Sequence, residues 1–180
     1  MQGGAIAFGA VTRTGSAVIL AVRRGAGGPS FAGRWEITLV PEGMSDQPFH
    51  AAAAEPGNAA RLVSEVELAA EQAALAALTE AAHGRPVLGI AVVVKPVSAP
   101  SDIAAVLRSH AWMHAAEGAL YREGVLSAGR QLGWVVRAVD AATLQAQDEL
   151  VAAIGAAAGR PWRRTEKDAT RAALTLLPEA

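Results

Sequence analysis

A chain of 180 residues, 52% of them apolar, has the usual size of one domain and can bury a substantial core, so a single domain over residues 1–180 is expected. The absence of cysteine excludes disulfides and cysteine-ligated zinc or iron–sulfur sites, and 16 basic against 17 acidic residues exclude a strong net field toward nucleic acid, leaving only local clusters such as Arg23-Arg24 and Arg163-Arg164. No stretch approaches the roughly 18 to 20 unbroken apolar residues of a membrane span, and Met1-Gln2-Gly3-Gly4 lacks a basic leader region, so a cytoplasmic protein with no membrane partner is expected.

Residues 5–12 and 16–23 are short apolar runs joined by Arg13-Thr14-Gly15, a connection of hairpin length, and are expected to pair antiparallel. A glycine-rich loop over 25–33 then leads to a third strand over 35–40, whose β-branched residues suit a sheet. Three prolines and three acidic residues make 41–60 read as a long loop. Helical spacing of Ala, Leu and Glu predicts a helix over 61–82, ended by Gly84 and Pro86. The apolar run 87–94 has the length of a strand buried on both faces. Ser101 and Asp102 open a predicted long helix to about residue 132, followed by a strand over 134–139 and helices over 141–154 and 166–177.

Three strands followed by alternating helices and strands predict a mixed α/β sheet of five strands covered by helices on both faces. That order resembles the ribonuclease H-like superfamily, which includes ribonuclease H and the Holliday-junction resolvases. Two patches carry the likeness further. Val66-Glu67-Leu68 ahead of an alanine-rich helix is similar to the ribonuclease H helix bearing a catalytic glutamate, and Glu166-Lys167-Asp168-Ala169 is similar to the start of the terminal helix bearing a catalytic aspartate. The resemblance implies carboxylates holding two magnesium or manganese ions roughly 4 Å apart for in-line phosphodiester hydrolysis. It implies catalytic and metal-binding candidates at Glu67 and Asp168, and a degenerate site elsewhere. The first strand has no aspartate where the family places one, and the strand 87–94 is followed by Lys95 rather than an acid.

At about 100° per residue, Glu67 shares a stripe with Val63, Ala70, Ala74 and Leu78, so its side chain is expected to face the sheet. Lys95 then has two readings: a partner for Glu67 or Asp168, or a phosphate contact. The plain reading of Glu67 is an ion-paired residue at the helix edge. That of Asp168 is the capping box Thr165-x-x-Asp168.

The long helix carries the most distinctive stripe: His110, His114, Glu117 and Tyr121 lie within about 40° of one line and border Val106, Met113 and Leu120. Three readings stand open for it: a buried hydrogen-bonded network, a metal bound by both histidines and Glu117, and a ligand site with a histidine as acid or base. It is not the His-Glu-x-x-His motif, since Ala111 replaces the glutamate. Arg160-Pro161-Trp162-Arg163-Arg164 forms a basic, aromatic-bearing loop suited to a phosphate backbone or, more simply, a loop with its tryptophan tucked inward. The stretch from Val18 through Gly33-Arg34-Trp35-Glu36 also looks like the opening of a Nudix hydrolase, but the spaced Glu65, Glu67 and Glu71 lack that family's glutamate-rich metal-binding helix.

The sequence thus points to a ribonuclease H-like domain recognising nucleic acid or a nucleotide, with phosphodiesterase activity lost or carried by Glu67, Asp168, His114 and Glu117. Binding candidates are Lys95, His110, Tyr121, Trp162, Arg163 and Arg164. The competing readings are a non-catalytic interaction protein, with Trp112 and the loop around Phe49 and His50 at a partner or homodimer interface, and a small-molecule site at the histidine stripe.

Overall fold

The computed structural model describes residues 4–96, 99–144 and 147–178. Strands β1 (Ile6–Arg13), β2 (Ser16–Gly25) and β3 (Gly28–Thr38) form an antiparallel meander, β4 (Val87–Val94) pairs parallel with β1, and β5 (Val135–Asp140) pairs parallel with β4. The sheet order is β3-β2-β1-β4-β5, which places β1 at the centre and β4 beside it, buried through Ile90, Ala91 and Val92. Period-two alternation along β1 assigns its residues to two cores. Ile6, Phe8 and Ala10 face helices α1 (Pro48–Ala54), α2 (Ala59–Ala82), α3 (Ile103–Val106) and α4 (His110–Gln131), whereas Ala7 faces α5 (Asp148–Ala158) and α6 (Arg164–Leu174). In the larger core Phe8 meets two tryptophans, stacking on Trp134 at 5.4 Å and meeting Trp35 edge-on at 5.8 Å between ring centroids.

Glycine decides two close approaches. A β-carbon on Gly9 would lie 1.8 Å from the carbonyl oxygen of Ala169, so α6 rests directly on the backbone of the central strand. Gly124 of α4 faces the Ala70 backbone of α2, where a β-carbon would sit at 3.3 Å, and the two helices pack closely there.

Several expected boundaries move for local physical reasons. Most of the glycine-rich segment 25–33 is strand: Arg23 pairs with Ser30 and Gly25 with Gly28, so the turn occupies only its tip. Gly33 stays within β3 because a side chain there would overlap the Trp35 indole. The segment 41–60 contains α1 and a short 3₁₀ turn at Pro56–Asn58, since Pro48 and Pro56 sit in first turns where no amide donor is needed. The predicted long helix is two helices. Asp102 caps α3 by accepting from the Ala105 amide at 2.8 Å, and Ser109, extended at φ −139°, restarts the helix by accepting from the Trp112 amide. Ahead of α5 the chain makes a 3₁₀ turn at Ala141–Thr143, and residues 145–146 of the predicted helix lie outside the described residues. No helix among the described residues is long and apolar enough to cross a membrane.

Candidate functional site: a cationic cleft beside a histidine cluster

In an open α/β sheet the carboxyl ends of the parallel strands are where ligands are received, because the helices that cover the faces leave that edge open. Here that edge is a cleft of about 430 Å³ bounded by the end of β1, the end of β4 and the start of α6. Arg13, Lys95, Arg122 and Arg164 line it, with Asp168 as its one carboxylate among the described residues. Asp168 is already engaged, 3.0 Å from Arg171 and 3.4 Å from Arg164. Arg13 donates to the Thr165 hydroxyl at 2.9 Å and lies 3.7 Å from Glu36. Lys95 and Arg122 form no ion pair among the described residues. Arg122 is half-buried, and that desolvation lowers its pKa from the ordinary guanidinium value.

Glu67 does not face the sheet. Val63, Val66, Ala70, Ala74 and Leu78 form the buried face of α2, and Glu67 beside them is exposed and lies outside the cleft. The stripe of Val63, Ala70, Ala74 and Leu78 is seated as its spacing predicts, closely against Gly124 at Ala70, but Glu67 on the same stripe stays exposed. Partial desolvation still raises the Glu67 carboxyl above its ordinary value. The capping role expected of Thr165 and Asp168 belongs to Glu166, whose carboxylate accepts from the Arg163 amide at 2.9 Å one turn earlier. With no carboxylate on β1, Lys95 after β4, Glu67 turned away and Asp168 paired to arginines, the residues present do not fit a pair of magnesium or manganese ions.

Beside the cleft, the stripe on α4 holds as spaced, but its depth is graded. His110 and His114 are exposed, whereas Glu117 is 2% exposed and Tyr121 is fully buried. The third imidazole comes from elsewhere: His50 of α1 donates from Nδ1 to Glu117 Oε1 at 2.7 Å, and its backbone amide reaches the same oxygen at 3.4 Å. His114 Nδ1 lies 3.5 Å from Glu117 Oε2. The three imidazole centroids are 4.4 to 5.0 Å apart, and His114 also lines the cationic cleft, so the two features adjoin. His50 and Phe49 are therefore not a free interface, since Phe49 is buried and His50 is half-buried against Glu117. Trp112 is 38% exposed, as its position on the outward face of α4 requires.

Tyr121 is not a binding residue. Its hydroxyl donates to the Asp46 carbonyl at 2.6 Å, pinning the segment that leads into α1 and so positioning His50. Burial, with Asp46 and Glu117 nearby, pushes the phenol pKa well up, and the group stays a neutral donor. Tyr121→Phe should lower stability by about 1 kcal/mol, read from a urea midpoint shift at constant slope. Trp162 is half-buried and lies outside the cationic cleft. It packs over Gly155 of α5, where a β-carbon would lie 2.3 Å from the indole nitrogen, while Arg163 points to solvent away from the cleft.

The sequence reading named His110, His114 and Glu117 by their spacing, Asp168 by resemblance, and Lys95 and Arg164 by their charge, and the fold gathers them along one edge. It gave His50 only as an interface residue and did not single out Arg13 or Arg122. The signal for His50 was its place just after a proline at a helix start; Arg122 offered none beyond adjacency to Tyr121.

No family model and no curated protein matches the sequence. Among solved structures the chain is similar to Thermus thermophilus RuvC in complex with a Holliday junction substrate, at 16% identity over 95% of this chain and 91% of that one, with a TM-score of 0.53. It is similar also to Thermus thermophilus RuvC alone, at 16% identity over 94% and 92% of the two chains, with a TM-score of 0.52. The fold is ribonuclease H-like, with the mixed five-stranded sheet that the element order implied.

Proposed function

We propose that this chain recognises phosphate groups of a nucleic acid in the cleft at the carboxyl ends of β1 and β4, and that it does so without two-metal hydrolysis. The observation that carries the reading is the pairing state of the cleft: Lys95 and the half-buried Arg122 lack counter-charges among the described residues, beside Arg13 and Arg164. A buried or half-buried cation without a partner is costly, and a phosphate entering the cleft would offset that cost with charge-assisted hydrogen bonds. RuvC, whose fold this chain shares, has been solved with a Holliday junction substrate, so branched DNA is the first ligand to try. The alternative of a purely protein-binding scaffold is weakened by the burial of Phe49 and the engagement of His50, which leave Trp112 as its support.

The test is fluorescence anisotropy with four-way junction, duplex, hybrid and single-stranded oligonucleotides across a salt series. Binding should weaken linearly in log salt. Lys95→Ala and Arg122→Ala should each lower affinity for all sequences alike and reduce the magnitude of the salt slope by about 1. Equal affinity of the double variant and the parent would refute the reading. Cleavage of the junction in magnesium or manganese, abolished by Asp168→Asn, would refute the loss of hydrolysis.

A further inference from the structure

We propose that His50, His110 and His114 form a binding site for a late first-row divalent cation of the zinc class, with Glu117 orienting His50 from behind. One nitrogen from each imidazole lies within 4.8 Å of the others, on two elements that come together only in the folded chain. Zinc–imidazole bonds of about 2.0–2.1 Å in tetrahedral geometry put ligand nitrogens roughly 3.4 Å apart. The cluster therefore needs to contract by a little over an ångström, which rotation of two exposed side chains supplies, His114 being 51% exposed.

One unpartnered atom points the same way. His50 Nδ1 is committed to Glu117, and its other ring nitrogen, Nε2, is buried with no hydrogen-bond partner. Glu117, itself 2% exposed, has one oxygen on His50 while Oε2 accepts no hydrogen bond. A buried donor or acceptor left unmade costs about 1–3 kcal/mol, so such atoms are rare without a reason. A cation bound at His50 Nε2 gives that nitrogen its partner, while Glu117 Oε2 faces His114 Nδ1 at 3.5 Å. A carboxylate that accepts from Nδ1–H fixes the tautomer, turns the Nε2 lone pair outward and strengthens it as a donor, the arrangement that supports metal-bound histidines.

The donor set chooses the ion. Three neutral imidazoles suit zinc, cobalt, nickel or copper, whereas magnesium and calcium require oxygen ligands that the cluster does not offer. Three protein ligands leave a fourth position for water or for a ligand atom arriving from the cleft that His114 also lines. This site is separate from the carboxylate pair implied by the ribonuclease H likeness, shares no residue with it, and does not depend on nucleic-acid binding.

The experiment is a zinc chloride titration by calorimetry on untagged, chelator-stripped protein, with cobalt(II) titrated in parallel by visible absorption. One equivalent of zinc should bind, cobalt should develop d–d bands, and magnesium should give no heat. His110→Ala/His114→Ala, both exposed positions, should abolish binding while leaving the unfolding midpoint unchanged. His83→Ala, at the end of α2, should bind as the parent does. Glu117→Gln should weaken zinc by roughly 10- to 100-fold. The proposal is overturned if the double histidine variant binds zinc as tightly as the parent, or if the parent binds none at submillimolar metal. Unchanged affinity in a folded Glu117→Gln variant would remove Glu117 from its positioning role.

Discussion

Gly9→Ala is expected to destabilise the protein by about 3 kcal/mol or more, which for a chain of this size lowers Tm by roughly 6–12 °C. The reason is backbone against backbone. The added methyl would stand 1.8 Å from the Ala169 carbonyl oxygen and 2.7 Å from the Ala173 amide nitrogen, and neither can swing aside as a side chain could. Helix α6 would have to lift from β1, loosening the packing of Ala7, Leu20, Val22, Ala169 and Ala173. Because α6 also carries Arg164, Thr165 and Asp168 into the cleft, oligonucleotide affinity should fall with stability. Gly57→Ala is the control: nothing lies within 4 Å of its β-carbon, so its midpoint should stay within about 0.5 kcal/mol of the parent. Matching midpoints for the two variants would show that α6 does not sit on the central strand.

Glu117→Ala should cost about 2–3 kcal/mol in metal-free protein, because the His50 ring and backbone amide lose their common acceptor inside the structure. The loss should propagate along one path. His50 belongs to α1, α1 is entered through Asp46, and Asp46 is held by Tyr121 on the same face of α4 as Glu117. Amide hydrogen exchange should therefore rise first in residues 46–54, while β1 to β3 keep their protection. Glu117→Gln retains an acceptor oxygen of similar shape and should lose less. Equal stability of the parent and the alanine variant would mean that α1 is held by Phe49 and Ala52 packing alone.

The strand and helix inventory was largely legible because it rests on local periodicity. Short apolar runs joined at hairpin length mark β1 and β2, an unbroken apolar run marks β4, and the alanine–leucine spacing marks α2. The segment holding α1 was hidden by its prolines, which suggest a loop but here open helical turns. The break before α4 was hidden because Asp102 and Ser109 each cap a helix, and spacing does not show that the chain uses both.

By itself the sequence determined the order of the five strands, the absence of aspartate from the first of them, and the stripe of His110, His114, Glu117 and Tyr121, since each depends on neighbours within a turn or along one strand. Only the tertiary structure decided that Glu67 is exposed outside the cleft, that His50 crosses from α1 to complete three imidazoles over Glu117, and that Arg13, Lys95, Arg122 and Arg164 converge on one cleft. Those outcomes rest on contacts between residues far apart in the chain, which leave no period in the sequence to read.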